Sequence, residues 1–122
     1  MPIRPSRTAA LTPKAHTPAA FVRAILHAYA ARGLRADGAL RKAQITPREA
    51  SFANGRVSAL QFERLCAAAM QELDDEAPGW FSRRLPWGSY GLLARASISA
   101  PTLGVALARW CRHHGLLTED VR

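Results

Sequence analysis

The chain has 122 residues, of which 48% are hydrophobic, and a formal net charge of +8. That is the length of one domain with ample apolar material for a core, which argues against global disorder. No apolar run approaches the length that crosses a bilayer, so no membrane partner is expected. Ala, Leu and Arg dominate and β-branched residues are few, a composition that favours helix over sheet.

The charge is unevenly placed. Residues 1–36 carry Arg4, Arg7, Lys14, Arg23, Arg32 and Arg35 and no acid. Affinity for nucleic acid or another anionic surface is one reading; a solvated basic segment is the other, and charge alone favours the second. Residues 1–16 are rich in Pro, Arg and Thr without a usable period and are expected to be a flexible basic arm. They lack the continuous apolar segment of a secretory signal, which leaves the cytoplasm as the expected compartment.

A first helix should start at Thr17-Pro18, a cap followed by proline in the first turn, with Phe21, Val22, Ile25, Leu26 and Tyr29 on its apolar face and Gly33 ending it. Asp37 can cap a short helix to Ala43. Thr46-Pro47-Arg48-Glu49 and Ser58-x-x-Gln61 are capping boxes for a third and a fourth helix. Asn54-Gly55 between them is a turn and, in a helical setting, not a hairpin. The fourth helix should bury Phe62, Cys66, Ala69, Met70 and Leu73, with Leu65 beside that stripe. Cys66 and Cys111 are expected as buried free thiols, since no C-x-x-C pair supports a metal or redox site.

Asp74-Asp75-Glu76 reads as a solvated loop after that helix, because a divalent-metal site would need further oxygen ligands and none converge on it. Pro78 to Leu85 fits a short helix with Trp80 and Phe81 turned inward. Pro86-Trp87-Gly88-Ser89 is a turn in which Ser89 can cap the next helix. The last two helices span Tyr90 to Leu117 and meet at Ser99-Ala100-Pro101, where proline stops the first and fits the first turn of the second. Leu103, Leu107, Trp110, Cys111 and His114 share one face. The expected fold is therefore all-α, six or seven short helices packed around this central pair.

Chemistry-bearing motifs are sparse. Adjacent residues on a helix point about 100° apart, so His113-His114 does not chelate an ion, and no H-E-x-x-H occurs. No catalytic, cofactor or metal site is expected, and the chain is not expected to be an enzyme. The helix pair superficially resembles a helix-turn-helix, but Pro101-Thr102-Leu103-Gly104-Val105-Ala106 offers almost nothing to base edges. Sequence-specific DNA reading is not expected of it.

The ordered blocks FVRAILHAYAARGL (21–34), LRKAQI (40–45), RVSALQFERL (56–65), YGLLARASISAPTLGVAL (90–107) and the HHGLLTEDV end resemble the N-terminal, arabinose-binding-type sensor domain of AraC-type transcription regulators. The resemblance covers roughly 18–122 and implies a helical sensor domain over 17–122 that perceives a small-molecule effector. In such regulators separate helix-turn-helix units bind DNA; this sequence stops before the strands that usually continue the sensor and carries no such unit. DNA contact is then expected only through an absent C-terminal domain, or weakly and non-specifically through the arm, and a homodimer is compatible with the resemblance. Trp80 and the W-G-S-Y around Trp87 depart from the family pattern. Trp87, Tyr90, Trp110 and His114 are the candidates to line an effector pocket, because aromatics give contact area and a few polar atoms fix orientation; ordinary packing is the competing reading. Two rival functions remain at this level: a small basic nucleic-acid-associated protein, whose binding would fall steeply with salt, and a protein-protein interaction module, which would expose a contiguous apolar patch.

Overall fold

The computed structural model describes residues 15–121. Along the chain lie β1 (His16–Pro18), α1 (Ala19–Ala31), α2 (Asp37–Ala43), α3 (Pro47–Ser51), β2 (Arg56–Ser58), α4 (Ala59–Glu72), α5 (Ser89–Ile98) and α6 (Leu103–Leu117). The all-α expectation holds, with six helices among the described residues and one two-stranded ladder added. The expected arm falls outside the described residues as far as residue 14, but His16, assigned to it, opens β1.

The ladder is short and antiparallel, with Thr17 opposite Val57. Thr17 is therefore a strand residue rather than a cap, and Pro18 occupies the N-cap of α1 without a side-chain bond. Each strand launches a helix, and each helix's first N–H is taken by the other strand's flank: Ala19 donates to Gly55 O at 2.9 Å and Ala59 to Ala15 O at 3.0 Å. Two orphan helix donors are thus satisfied by the ladder itself. Asn54-Gly55 lies at a turn as expected, but the strand β2 that follows it was not expected.

Both capping boxes form. Thr46 Oγ1 accepts from Glu49 N while Glu49 Oε2 accepts from Thr46 N, and Ser58 with Gln61 repeats the exchange. Ser58→Ala should destabilise the chain by about 1 kcal/mol, read as a lower urea midpoint with an unchanged m-value. Asp37, expected as a cap, sits inside the first turn of α2 and pairs with Arg35 instead.

Three helices stop in the same way. After α1, α2 and α4 a residue at positive φ turns the chain: Gly33 at 66°, Gln44 at 58° and Asp74 at 46°. In each case the following N–H reaches back to a carbonyl of the last turn: Leu34 to Tyr29, Ile45 to Leu40 and Asp75 to Met70. Only the first was visible as a glycine; the other two carry the torsional cost of a side chain in the left-handed region.

The main core lies between α1, α2 and α4, with Val57 and Ala50 closing it. Val22, Ile25, Tyr29, Leu40 and Leu65 are its large buried side chains, and the Tyr29 hydroxyl donates to Glu72 at 2.7 Å. Burial first, then Glu72, pushes the Tyr29 phenol well above its ordinary range. Leu65 proves central rather than lateral, while Phe62, Cys66 and Met70 are half-buried. Burial raises the Cys66 thiol, which keeps it protonated. Cys111, expected to be buried, is exposed.

The largest correction concerns the helix pair α5–α6. It packs chiefly on itself and stands beside the core rather than at its centre. Among its residues only Ser89, Leu93 and His114 are buried, whereas Ile98 is 82% and Leu103 74% exposed. The stripe on α6 is real, but its N-terminal half, Leu103 and Leu107, stays largely exposed.

Candidate functional site

The site sits where the loop after α4 meets the foot of the α5–α6 hairpin. The loop is organised by the acidic run that the sequence suggested would be solvated. Asp75 is 1% exposed and Glu76 is buried too. Asp75 accepts from the backbone N–H groups of Ala77, Gly79 and Leu85 at 2.9–3.1 Å and from the Arg32 guanidinium at 2.8 Å. Burial pushes the Asp75 carboxyl up, but Arg32 and the three amides together outweigh it and hold the group below the usual carboxylate range. With so many amides turned inward on one carboxylate, 78–85 forms no helix, which corrects the expectation there.

Glu76 does for α5 what Ser89 was expected to do. Its carboxylate accepts from Gly88 N and, at 2.7 Å, from Tyr90 N, so an acid caps the positive end of the helix. Gly88, at φ 98°, supplies the turn, while Ser89 Oγ donates back to Pro86 O. This cap fixes Tyr90 in the first turn of α5.

On α6, Trp110 and His114 are four residues apart and share a face. Tyr90 reaches both. Its ring stacks on Trp110 with centroids 6.2 Å apart and planes within 4°, and leans against His114 at 6.0 Å. Phe81, from the loop, meets the other side of His114 edge-on at 5.8 Å. The imidazole is thus held between two aromatic rings and is 4% exposed, and its Nδ1 has no hydrogen-bond partner. Phe81, Tyr90 and Trp110 are half-buried and form the outer wall. Burial, then the charges of Glu76 and Asp75, raise the Tyr90 phenol above its ordinary value, so it stays a neutral donor.

Two further contacts brace the loop. Asp120 accepts from Thr118 Oγ1 at 2.6 Å and from Ser82 through both its hydroxyl and its N–H. Those bonds, the Thr118 hydroxyl first, hold the Asp120 carboxyl below its ordinary range. Trp80 leans on Phe21 of α1 with centroids 6.4 Å apart. Trp80 and Phe21 are about half exposed, so Trp80 is not turned inward as expected; it lies on the surface of α1, while its neighbour Phe81 meets the hairpin.

Of the four candidates, the structure brings together Tyr90, Trp110 and His114. Trp87 stays apart, 57% exposed on the turn before α5, with its N–H donated to Asp74 at 2.9 Å. Phe81 belongs with the three; the sequence offered it only as an inward-facing aromatic. The cluster is a wall of rings packed around His114. The clefts of about 500 Å³ at Arg48, Phe52 and Arg56 and about 250 Å³ between α5 and α6 lie elsewhere. Among the described residues no group of three His, Cys, Asp or Glu could hold a metal ion, and no helix is long and apolar enough to cross a membrane.

A family model described as the arabinose-binding domain of AraC transcription regulators, N-terminal, matches residues 33–122, a span that contains the whole loop and hairpin. Neither the curated proteins nor the solved structures give a match.

Proposed function

We propose that this chain, which belongs to the family of N-terminal arabinose-binding domains of AraC transcription regulators, is the effector-sensing part of such a regulator, with residues 17–122 as its sensing domain. Tyr90, Trp110 and His114, joined by Phe81, are the surface that meets a small-molecule effector. Trp87, apart from this cluster, is not included in it.

The observation that carries this reading is the imidazole of His114, enclosed by aromatic rings with Nδ1 unpartnered. A buried polar atom without a partner costs about 1–3 kcal/mol. A ring compound such as a sugar has what the site lacks: a flat C–H face to stack on Tyr90 or Trp110, and hydroxyls to bond the imidazole. Admitting it requires a ring of the wall to turn aside. Because Phe81 adjoins Trp80, and Trp80 rests on Phe21, such a movement is passed to the surface of α1. An effector that binds the opened wall better than the closed one shifts the balance between them, which is all that sensing requires.

The test is thermal unfolding with arabinose first and then a panel of small metabolites. A ligand that binds only the folded chain raises its melting temperature by mass action. The variant His114→Phe removes the unpartnered nitrogen but keeps a ring between Phe81 and Tyr90. It should melt at or above the temperature of the unsubstituted chain and lose the ligand-induced rise. If the rise survives in His114→Phe, the effector binds somewhere else.

A further inference from the structure

The α5–α6 hairpin carries a second feature, made of other residues. Between α5 and α6 runs a groove of about 250 Å³ lined by Leu92, Leu93, Ala96, His113, Leu116 and Leu117. Leu92 is 56% and Leu116 75% exposed, so the groove has apolar lips that solvent covers. Its wall is carbon except at one point, where Nδ1 of His113 is buried without a hydrogen-bond partner.

The surroundings of the groove are of one sign. From Ala77 to Thr118 the sequence holds five arginines and no Asp or Glu. Arg109 precedes His113 by four residues and Arg112 precedes Leu116 by four, so both lie one turn along the same helical rows. Arg95 follows Leu92 by three residues on the opposite lip. Among the described residues none of these three guanidiniums forms an ion pair, whereas Arg32, Arg35 and Arg84 each do.

We propose that this groove docks an acidic amphipathic helix, whose apolar stripe fills the space between α5 and α6 and whose flanking carboxylates pair with Arg95, Arg109 and Arg112. Two antiparallel helices offer a third a natural seat, in which apolar residues at i, i+3, i+4 and i+7 reach the groove. Charge complementarity selects the occupant. A second copy docked through the same face would set arginine against arginine around a twofold axis. A duplex would leave the apolar lips without a partner, and a bilayer surface would not reach the recessed His113. The groove shares no residue with the Phe81–Tyr90–Trp110–His114 cluster, so substitutions in one leave the other's residues in place and the two proposals are tested separately.

The probes are labelled amphipathic peptides of about 18 residues, long enough to be helical, with one leucine stripe and either Glu or Lys on the flanks. Fluorescence anisotropy with the full chain should show the acidic peptides binding at least about tenfold tighter than their basic counterparts, with the difference shrinking as salt rises. Leu116→Asp should abolish that binding, and the pair Arg109→Glu, Arg112→Glu should reverse the preference toward the basic peptides. Arg112 and Leu116 are exposed and Arg109 is half-buried, so an unchanged melting temperature is the criterion by which each variant is taken as folded. Equal binding of both peptide sets, absence of binding to either, or binding that survives Leu116→Asp overturns the proposal. So does concentration-dependent self-association that Leu116→Asp removes, which gives the face to a second copy, or adsorption to anionic vesicles without peptide binding.

Discussion

Asp75→Ala is expected to destabilise the chain by about 3–5 kcal/mol, the range for removing one member of a buried charged network. The substitution removes the acceptor of three backbone donors, from Ala77, Gly79 and Leu85, and leaves Arg32 at the end of α1 without its ion pair. Each stranded amide costs about 1–3 kcal/mol, and small domains have only about 5–15 kcal/mol in total. Asp75→Asn keeps the size and one acceptor oxygen, so its loss should be smaller. Urea unfolding of the two variants measures both. The acid limb of stability gives a second reading. The Asp75 carboxyl is depressed in the folded chain, so its contribution is complete above the ordinary aspartate range, near about 3.9, and is lost as pH falls through the lower folded value. Asp75→Ala should therefore show a flatter decline in stability on acidification than the unsubstituted chain.

Gly79→Ala should come close in size. Gly79 has φ 79°, and a Cβ built on it would overlap the Cβ of Ala28 on α1. The left-handed backbone costs a side chain about 1–2 kcal/mol and forced overlap about 1–3 kcal/mol, so a loss of about 2–5 kcal/mol is expected on their sum. Gly33→Ala separates the two causes. Its φ is 66° and its Cβ would meet nothing within 4 Å, so only the torsional part applies. Adding Ala28→Gly to Gly79→Ala should recover the steric part, less about 1 kcal/mol for glycine inside a helix. A thermal melt in which Gly33→Ala and Gly79→Ala lose equally would show that the loop does not press on α1 as described.

Both predictions concern the loop that the sequence disclosed least. Capping boxes at Thr46 and Ser58, the stop at Gly33 and the apolar face of Val22, Ile25 and Tyr29 were legible because their signals are local and fall at fixed spacings. Asp75 and Glu76 gave no such signal. Their partners are backbone amides two to fourteen residues onward in irregular chain, and amides have no letter in a sequence. An acidic run after a helix looks the same whether it is solvated or gathers a loop around itself. The ladder was hidden because three residues are too short to show a period.

The helix pair shows another limit. A stripe such as Leu103, Leu107 and Trp110 declares that a helix has an apolar side but not what lies against it. Here Trp110 and His114 found Tyr90 and Phe81, while Leu103 and Leu107 remain 74% and 56% exposed. The candidate site was legible to the same degree: Tyr90, Trp110 and His114 follow from helical spacing and aromatic character. Trp87 did not join them because the Gly88 turn, tied down by Glu76, points the chain elsewhere. Phe81 lay in a segment that spacing made into a helix it does not form.

The central claim is that an effector meets the chain at the His114 wall, and NMR locates that contact directly. With the metabolite that raises the melting temperature, titration into isotope-labelled protein should shift the ring and amide signals of Phe81, Tyr90, Trp110 and His114 first. Smaller shifts should follow at Trp80 and Phe21, where the loop rests on α1. Shifts confined to α1–α4, or to Leu92, His113 and Leu116 on the outer groove, would contradict it.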